Sequence, residues 1–444
     1  MFGFLKRLFG RRPRLAADER KPGHKTPSPQ DALLAETPRE MPRTILQRDE
    51  ILDAATRLCG YRFSVRFPDT QGQPDAQIML EALRSANVAA FAQRRLAVIP
   101  MEAQHWARYD FQQLIGTNSV LFLDLPGQSL PAEAWRDVSA AIRAYGARVG
   151  VGVGATDWPS DIVRDCADVL LLDFSVYSIP RLEFVLTSLC RDFPRIEILV
   201  ENVGSWPERR LCMSLGAAYC LGPFTTAPDE EQQSGELSPS RLVVIEMLNL
   251  LRKGAELPEI AKVAKRDPGV TLKLVAMANS PILGLASPIT GIDHAMMVLG
   301  REQLYRWLSL AMFRTGAASP KDEVLLELAL VRGRFLELVG QAGHDRARCD
   351  ELFLVGLLSL LDSLLGVPME KVVARLHLSQ EIQQVLLNGT GPFDFYLLLA
   401  ISVEKGRAES VARLAERLGI SLQRIERASL EALAWAESAV RLGP

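Results

Sequence analysis

The pattern of apolar and polar positions changes character near residue 240 of this chain. From residue 45 to about residue 224, short apolar runs rich in β-branched residues alternate with amphipathic helical stretches. About seven such repeats favour a parallel sheet closed as a TIM-like (βα) barrel over an open doubly wound sheet. The predicted strands are residues 61–67, 96–100, 120–125, 148–153, 169–174, 197–201 and 217–221.

Beyond residue 240 the apolar positions recur at helical spacing. The segment from Asp267 to Leu310 predicts two helices separated by a turn of small residues. Asp267 is a good N-cap and Pro268 suits the first helical position, while Gly300 interrupts the second apolar stripe. The fold class predicted for the whole chain is therefore α/β plus all-α.

These patterns divide the chain into four parts. We assign residues 1–44 to a basic N-terminus and linker, 45–228 to the barrel, 229–240 to a second linker, and 241–444 to the helical domain. The segment from Met1 to Arg14 is basic and amphipathic. We interpret it as a frayed terminus rather than a membrane-binding segment, because one short segment binds a bilayer only marginally.

Composition narrows the functional classes. The 444 residues carry a formal net charge of −2 and are 48% hydrophobic, which indicates a soluble globular protein without a global attraction to nucleic acid. The six cysteines are scattered and match no zinc-site spacing. No apolar run is long enough to cross a bilayer. We therefore expect a cytoplasmic protein with reduced thiols.

Charged residues follow several of the predicted strands, and in a barrel the strand ends carry the chemistry. Asp124, Asp173 and Glu201 could contribute to the set of carboxylates that holds divalent cations for phosphodiester cleavage. The alternative is that these residues only cap or hydrogen-bond the loops. The sequence favours that alternative.

Four segments, residues 60–66, 167–175, 198–206 and 216–224, resemble the EAL domain, the cyclic-di-GMP phosphodiesterase barrel. By that resemblance Glu201 is retained, but Arg62 replaces the signature Glu and Asp124 replaces an Asn. Three further family residues are also changed, at Leu171, Gly204 and Leu221. The resemblance implies a vestigial barrel site at Arg62, Asp124, Asp173 and Glu201, with no catalytic residues, no metal and no cofactor.

The residues Asp267-Pro268, Asn279-Ser280, Leu299-Gly300 and Trp307 resemble the HDOD domain, a helical module related to HD phosphohydrolases. Ser359 and Leu360 stand where the His and Asp of those hydrolases would be, and such side chains cannot hold a divalent cation. The resemblance implies a binding domain. The expected interaction surface comprises Asn279, Ser280, Gly284, Leu304 and Trp307.

Together these patterns predict a bacterial signal transduction protein, not an enzyme, that acts through protein–protein interaction in or near cyclic-di-GMP signalling. The expected partner is a protein of a signalling pathway. One alternative is a cyclic-di-GMP receptor or residual phosphodiesterase, in which Arg62, Arg66 and Arg94 would bind phosphates. A second alternative is nucleic-acid binding through the C-terminal helices at residues 410–441. Two packing helices are the favoured interpretation of that segment.

Overall fold

The computed structural model describes residues 44–66, 75–124, 131–153, 164–227, 229, 238–279, 289–314 and 320–442. The predictions for the basic N-terminus, Ser280 and Gly284 lie outside these ranges. The described residues form a closed eight-stranded barrel followed by a helical domain, so the predicted fold class is confirmed. No helix in the described ranges is both long and apolar enough to cross a bilayer.

The strands follow one another around the barrel in chain order. They are β1 (Ile45–Asp53), β2 (Leu58–Arg66), β3 (Leu96–Glu102), β4 (Ser119–Asp124), β5 (Arg148–Gly152), β6 (Val169–Asp173), β7 (Glu197–Glu201) and β8 (Tyr219–Leu221). The helices between them are α1 (Ala76–Ser85), α2 (Val88–Ala92), α3 (Ala132–Ala144), α4 (Ile179–Asp192) and α5 (Trp206–Ser214).

The first strand was not among the predicted strands, and it runs antiparallel to both of its neighbours. Only a short turn separates β1 from β2, with the amide of Thr56 donating to the carbonyl of Asp53. So short a connection allows only a hairpin, because a parallel pair needs a crossover of a dozen or more residues. The other consecutive strand pairs, from β2 to β8, are parallel.

The barrel strands are buried on both faces, which explains their nearly continuous apolar sequences. The inner face forms a compact cluster that includes Ile51, Val98, Phe122, Leu171 and Leu199. Residues of the opposite alternation belong to the larger core shared with the surrounding helices. Strand register is thereby fixed, because a shift of one residue would exchange the two sets.

The helical domain continues from α6 to α17. Its elements are α6 (Pro239–Arg252), α7 (Leu257–Ala264), α8 (Pro268–Ala278), α9 (Ile292–Arg314), α10 (Pro320–Gly340), α11 (Arg346–Leu358), α12 (Leu361–Leu365), α13 (Met369–Val373), α14 (Gln380–Asn388), α15 (Asp394–Glu404), α16 (Ala408–Leu418) and α17 (Leu422–Leu442).

Two local predictions in this domain are confirmed. The carboxylate of Asp267 accepts a hydrogen bond from the amide of Val270 and caps α8, which begins at Pro268. Gly300 has a φ of 68° within α9 and kinks that helix. A left-handed residue inside a helix is tolerated at glycine because glycine has no Cβ.

The helical domain packs directly against the barrel. The last helix, α17, lies along α10 and also reaches the barrel, where Glu437 pairs with Arg94 at 2.9 Å. Arg48 of β1 donates to the hydroxyl of Ser429 in the same helix at 3.2 Å. These contacts occupy one face of α17, which favours the interpretation of the C-terminal segment as packing helices.

Candidate functional site

The C-terminal ends of the parallel strands bring an arginine and a glutamate together. Arg62 of β2 forms an ion pair with Glu201 at the end of β7. These two strands are not neighbours, since β1 and β8 separate them around the barrel. The guanidinium therefore reaches across the barrel to its partner. Both side chains are mostly buried, with 24% of Arg62 and 13% of Glu201 exposed.

Asp173 lies directly beside Glu201, because the ends of β6 and β7 are in register. Its carboxylate accepts hydrogen bonds from the amide and the hydroxyl of Ser175, at 2.9 and 2.7 Å. Burial alone would raise the pKa of Asp173. The hydrogen bonds from Ser175 and Asn202 and the charge of Arg62 outweigh burial, so its pKa lies below the usual value. Asp173 is thus an ionised carboxylate facing the Arg62 guanidinium.

The antiparallel strand adds polar groups that the sequence did not point to. Asp49 of β1 lies opposite Arg62 in the strand register. The side-chain amide of Gln47 donates to Asp49 at 2.9 Å, and Arg66 donates to the Gln47 carbonyl at 3.3 Å. Burial raises the pKa of Asp49, although Gln47, Arg62 and Arg66 act in the opposite direction.

Three of the four residues predicted for the barrel site are therefore brought together: Arg62, Asp173 and Glu201. The fourth, Asp124, ends β4 opposite Glu102 of β3, and its side chain is outside the described part of the structure. We name the set of Gln47, Asp49, Arg62, Arg66, Asp173 and Glu201 the barrel-mouth cluster.

The carboxylates of the barrel-mouth cluster are already bound by other side chains. Glu201 is engaged by the Arg62 guanidinium, and Asp173 is engaged by Ser175. Within the described ranges, no three His, Cys, Asp or Glu side chains are grouped so that they could hold a metal ion. The described residues consequently do not fit a metal centre, and their arrangement suits an anion that could compete for the arginines.

In the helical domain, a guanidinium lies against the residue predicted to mark a vestigial metal position. Arg332 of α10 donates to the Ser359 hydroxyl at 2.7 Å and forms two hydrogen bonds with Glu404, at 2.8 and 2.6 Å. A fixed positive charge there disfavours a second cation. The neighbouring dipeptide His344-Asp345 is a helix start, with Asp345 capping the amide of Arg348.

The residues predicted for an interaction surface have different environments. Asn279 acts as a local clamp, because its side chain exchanges two hydrogen bonds of 2.6 Å with the backbone of Ile289. Leu304 is 0% exposed, so its side chain belongs to the core and is not itself part of a surface. Trp307 is half-buried and packs against that core.

Asp49 and Gln47 are the site residues that sequence reasoning missed. They lie in the sequence Gln47-Arg48-Asp49-Glu50, four polar residues in a row, which resembles a loop rather than a strand. The available signal was the pair of apolar ends, Ile45-Leu46 and Ile51-Leu52, followed by a short polar turn before the next strand.

Comparison with known families recognises the first part of the helical domain. Residues 239–380 match the family model described as the HDOD domain. This region is an HDOD domain. It begins with α6 and extends to the start of α14. The predicted architecture, a barrel followed by an HDOD domain, is confirmed.

Two curated relatives match a longer part of the chain. The chain is 25% identical over 261 residues to a protein named cyclic di-GMP phosphodiesterase CdgJ, from Vibrio cholerae, covering 59% of this chain and 60% of that protein. It is 26% identical over 279 residues to the uncharacterized protein YuxH of Bacillus subtilis, covering 61% and 66% of the two chains. The matches therefore span less than two thirds of either relative.

Solved structures that are similar include EAL-domain proteins. One is the EAL-domain protein YkuI of Bacillus subtilis in complex with c-di-GMP and calcium, at 16% identity and a TM-score of 0.34, covering 51% of this chain and 72% of that chain. Another is an EAL-domain protein of Listeria monocytogenes, at 13% identity and a TM-score of 0.35, covering 41% and 87%.

The similarity to CdgJ contradicts the expectation that this protein is not an enzyme, because that relative is named a phosphodiesterase. The expectation came from counting residues that differ from a family pattern. That count took no account of Asp49, which the unanticipated strand β1 places opposite Arg62. Losses at single aligned positions were therefore an insufficient basis for excluding catalysis.

Proposed function

We propose that the barrel mouth binds cyclic di-GMP and that the protein acts in cyclic-di-GMP signalling as a receptor or a residual phosphodiesterase. The observation that carries this proposal is the Arg62–Glu201 pair across the mouth of the barrel. The name of the relative CdgJ supports the choice of ligand.

The chemistry of the barrel-mouth cluster fits a phosphodiester anion. Arg62 and Arg66 are fixed positive charges on one face of β2. A guanidinium can bind phosphate through two parallel hydrogen bonds, and such charge-assisted bonds are stronger than neutral ones. A bound phosphate would take over Arg62 from Glu201. The released Glu201 carboxylate would then lie beside the bound dinucleotide, where it could accept a proton.

Isothermal titration of the full-length protein with cyclic di-GMP tests this proposal. We expect saturable binding that Arg62→Gln weakens by at least about tenfold, the effect of losing one charge-assisted hydrogen bond. Arg148→Gln is the matched control, because Arg148 also pairs with a strand glutamate, Glu197, but at the opposite end of the barrel. Absence of binding by the wild type, or equal weakening by the two variants, would reject the proposal.

A turnover assay on the same samples separates the two forms of the proposal. Conversion of cyclic di-GMP to a linear dinucleotide, removed by Glu201→Gln while binding persists, indicates a phosphodiesterase. Binding without conversion indicates a receptor.

A second candidate function is recognition of a protein partner by the HDOD domain. Two large apolar side chains on neighbouring helices favour it: Leu272 of α8 is 70% exposed and Met297 of α9 is 64% exposed. Contiguous apolar surface marks sites of contact with other proteins, and the two helices that carry these side chains pack against each other. Asn279 directly follows α8, and Trp307 lies on α9.

Affinity capture with the double variant Leu272→Ser and Met297→Ser tests this second function. We expect it to lose specific partners that the wild type and Leu398→Ser retain, since Leu398 is also an exposed apolar residue but lies on α15. Identical partner sets for all three proteins would contradict this function.

A further inference from the structure

The β1–β2 hairpin lies between the barrel interior and the helical domain. Its inner side faces the barrel interior and its outer side faces the helical domain. Asp49 pairs with Arg62 in the strand register, and the next pair is Glu50 with Tyr61. Successive side chains of a strand point to opposite faces. The pair of Asp49 and Arg62 therefore lies on the inner side of the hairpin, and the pair of Glu50 and Tyr61 lies on the outer side.

On its inner side, the hairpin carries Gln47, Asp49, Arg62 and Arg66 of the barrel-mouth cluster. Arg62 reaches Glu201 on β7, and Asp49 is held by Gln47. The turn between α15 and α16 approaches the Gln47 side chain, because a Cβ on Gly406 would overlap the Gln47 carboxamide. The rim of the mouth is thus already in contact with the helical domain.

On its outer side, the hairpin is hydrogen-bonded to α10. The hydroxyl of Tyr61 donates to Glu327 at 2.9 Å. Arg95, which directly precedes β3, donates to both oxygens of the same carboxylate, at 2.7 and 2.9 Å. Glu327 is only 2% exposed, so water cannot readily replace these partners.

A second buried pair lies next to Glu50. Arg332 holds Glu404 through two hydrogen bonds, at 2.8 and 2.6 Å, and the charges of both residues act on Glu50. Bidentate pairs of this kind tolerate little displacement, because two parallel hydrogen bonds fix both distance and orientation. The hairpin reaches these pairs through the Tyr61 hydroxyl, which donates to Glu327, and through β1, which packs against α15.

We infer that the β1–β2 hairpin couples the two domains, so that a change in the Arg62–Glu201 pair inside the barrel alters the contacts of Glu327 and Glu404 in the helical domain. A displacement of the strand backbone moves its inner and outer side chains together. The state of the barrel mouth thereby controls how tightly α10 and α15 are held. That cyclic di-GMP drives this change rests on the proposed function; the coupling itself does not.

Hydrogen exchange measured by mass spectrometry tests the coupling without any ligand. We expect Arg62→Gln to accelerate exchange in Pro320–Gly340 and Asp394–Glu404 by at least about fivefold, the lower end of measured couplings between sites. Arg148→Gln should leave both helices unchanged. Acceleration confined to the barrel strands, or equal acceleration by the two variants, would overturn the inference.

A second variant guards against general unfolding of the barrel. Asp49→Asn removes a charge from the inner side and keeps both partners of the Arg62–Glu201 pair. We expect it to change exchange in α10 and α15 while the strands from β4 to β7 keep wild-type exchange. If only β4 to β7 change, the effect is unfolding of the barrel and the coupling is rejected.

The coupling can also be tested with cyclic di-GMP itself, because coupling between two sites is reciprocal. If cyclic di-GMP binds, its binding should change exchange in α10 and α15, and Glu327→Gln should in turn change its affinity. Calorimetry without binding would reject the proposed function, while the exchange results of Arg62→Gln would still decide the coupling. Binding that leaves exchange in α10 and α15 unchanged would overturn the coupling alone.

Discussion

Glu50 lies on the outer face of β1 among charged groups from several elements. Arg48 lies on the same face of the strand as Glu50, and Asp49 precedes Glu50 in the sequence. Glu404 approaches Glu50 from α15. Burial is the main reason that the pKa of Glu50 is raised, to about 8, and the charges of Asp49 and Glu404 act in the same direction against Arg48. Glu50 is therefore largely protonated at neutral pH.

The raised pKa of Glu50 predicts a specific pH dependence of stability. The unfolded chain releases this proton near pH 4.5 and the folded chain near pH 8, so the folded state binds it more tightly. The stability it contributes is fully present below the lower value and is lost as the pH rises through the upper one. We expect Glu50→Gln to raise the melting temperature relative to wild type more at about pH 9 than at about pH 5.

Calorimetric melting curves across this pH range measure the difference. Glu431→Gln is the control, because the Glu431 side chain is 50% exposed where it pairs with Arg334. A pH-independent difference between Glu50→Gln and wild type would contradict the assignment.

At the level of single residues, the sequence identified site residues at positions that can be aligned with the EAL family pattern. Arg62 was noticed because it replaces a family carboxylate, and the structure places it at the centre of the barrel-mouth cluster. Asp49 had no such signal. Its role depends on the strand register that sets it opposite Arg62, and register is decided by pairing across the sheet.

At the level of elements, two glycines allow a close crossing of α10 and α11. A Cβ on Gly356 would lie 2.6 Å from the Cα of Gly333 and 2.7 Å from the carbonyl carbon of Arg332. These neighbours are backbone atoms, which cannot move aside as a flexible side chain can. The crossing therefore fixes Arg332 and Ser359 close enough for their hydrogen bond.

Gly356→Ala should destabilise the protein by about 1–3 kcal/mol, as expected for overpacking a tight core. Gly343→Ala is the matched control, because a Cβ there would meet no atom of the described residues within 4 Å. We expect the control to leave stability unchanged or to raise it by up to about 1 kcal/mol. Urea unfolding of both variants gives the comparison, and equal midpoints would show that the crossing is not this tight.

The elements also show where sequence patterns succeed. The strand Glu197–Glu201 agrees with the prediction at both ends, and the kink in α9 falls at the glycine that interrupted its apolar stripe. The strand β1 was missed, because its central residues face polar surroundings on both sides. An alternating pattern arises only where one face meets an apolar core.

At the scale of the whole molecule, ion pairs with buried carboxylates join the two domains. Glu327 of the helical domain is bound by Tyr61 and Arg95 of the barrel, and Glu437 is bound by Arg94. Removing one partner of a buried pair leaves the other charge without compensation. The interface therefore makes each domain depend on the other for stability.

We expect Glu327→Gln to lower the free energy of unfolding by about 3–5 kcal/mol, the usual effect of breaking a buried pair. The matched change at the surface, Glu431→Gln, should cost no more than about 1 kcal/mol. Unfolding followed by tryptophan fluorescence and by far-ultraviolet circular dichroism measures both. Similar costs for the two variants would contradict the role of Glu327 at the interface.

The sequence by itself determined the two fold classes, the capping of α8 and the identity of Arg62, Asp173 and Glu201 as a set. These features depend on local periodicity, on neighbours in the chain or on motifs. The tertiary structure alone decided that β1 completes the barrel, that Asp49 lies opposite Arg62, and that Glu327 joins the domains. Tyr61 and Glu327 are 266 positions apart, and only the folded chain brings their side chains within hydrogen-bonding distance.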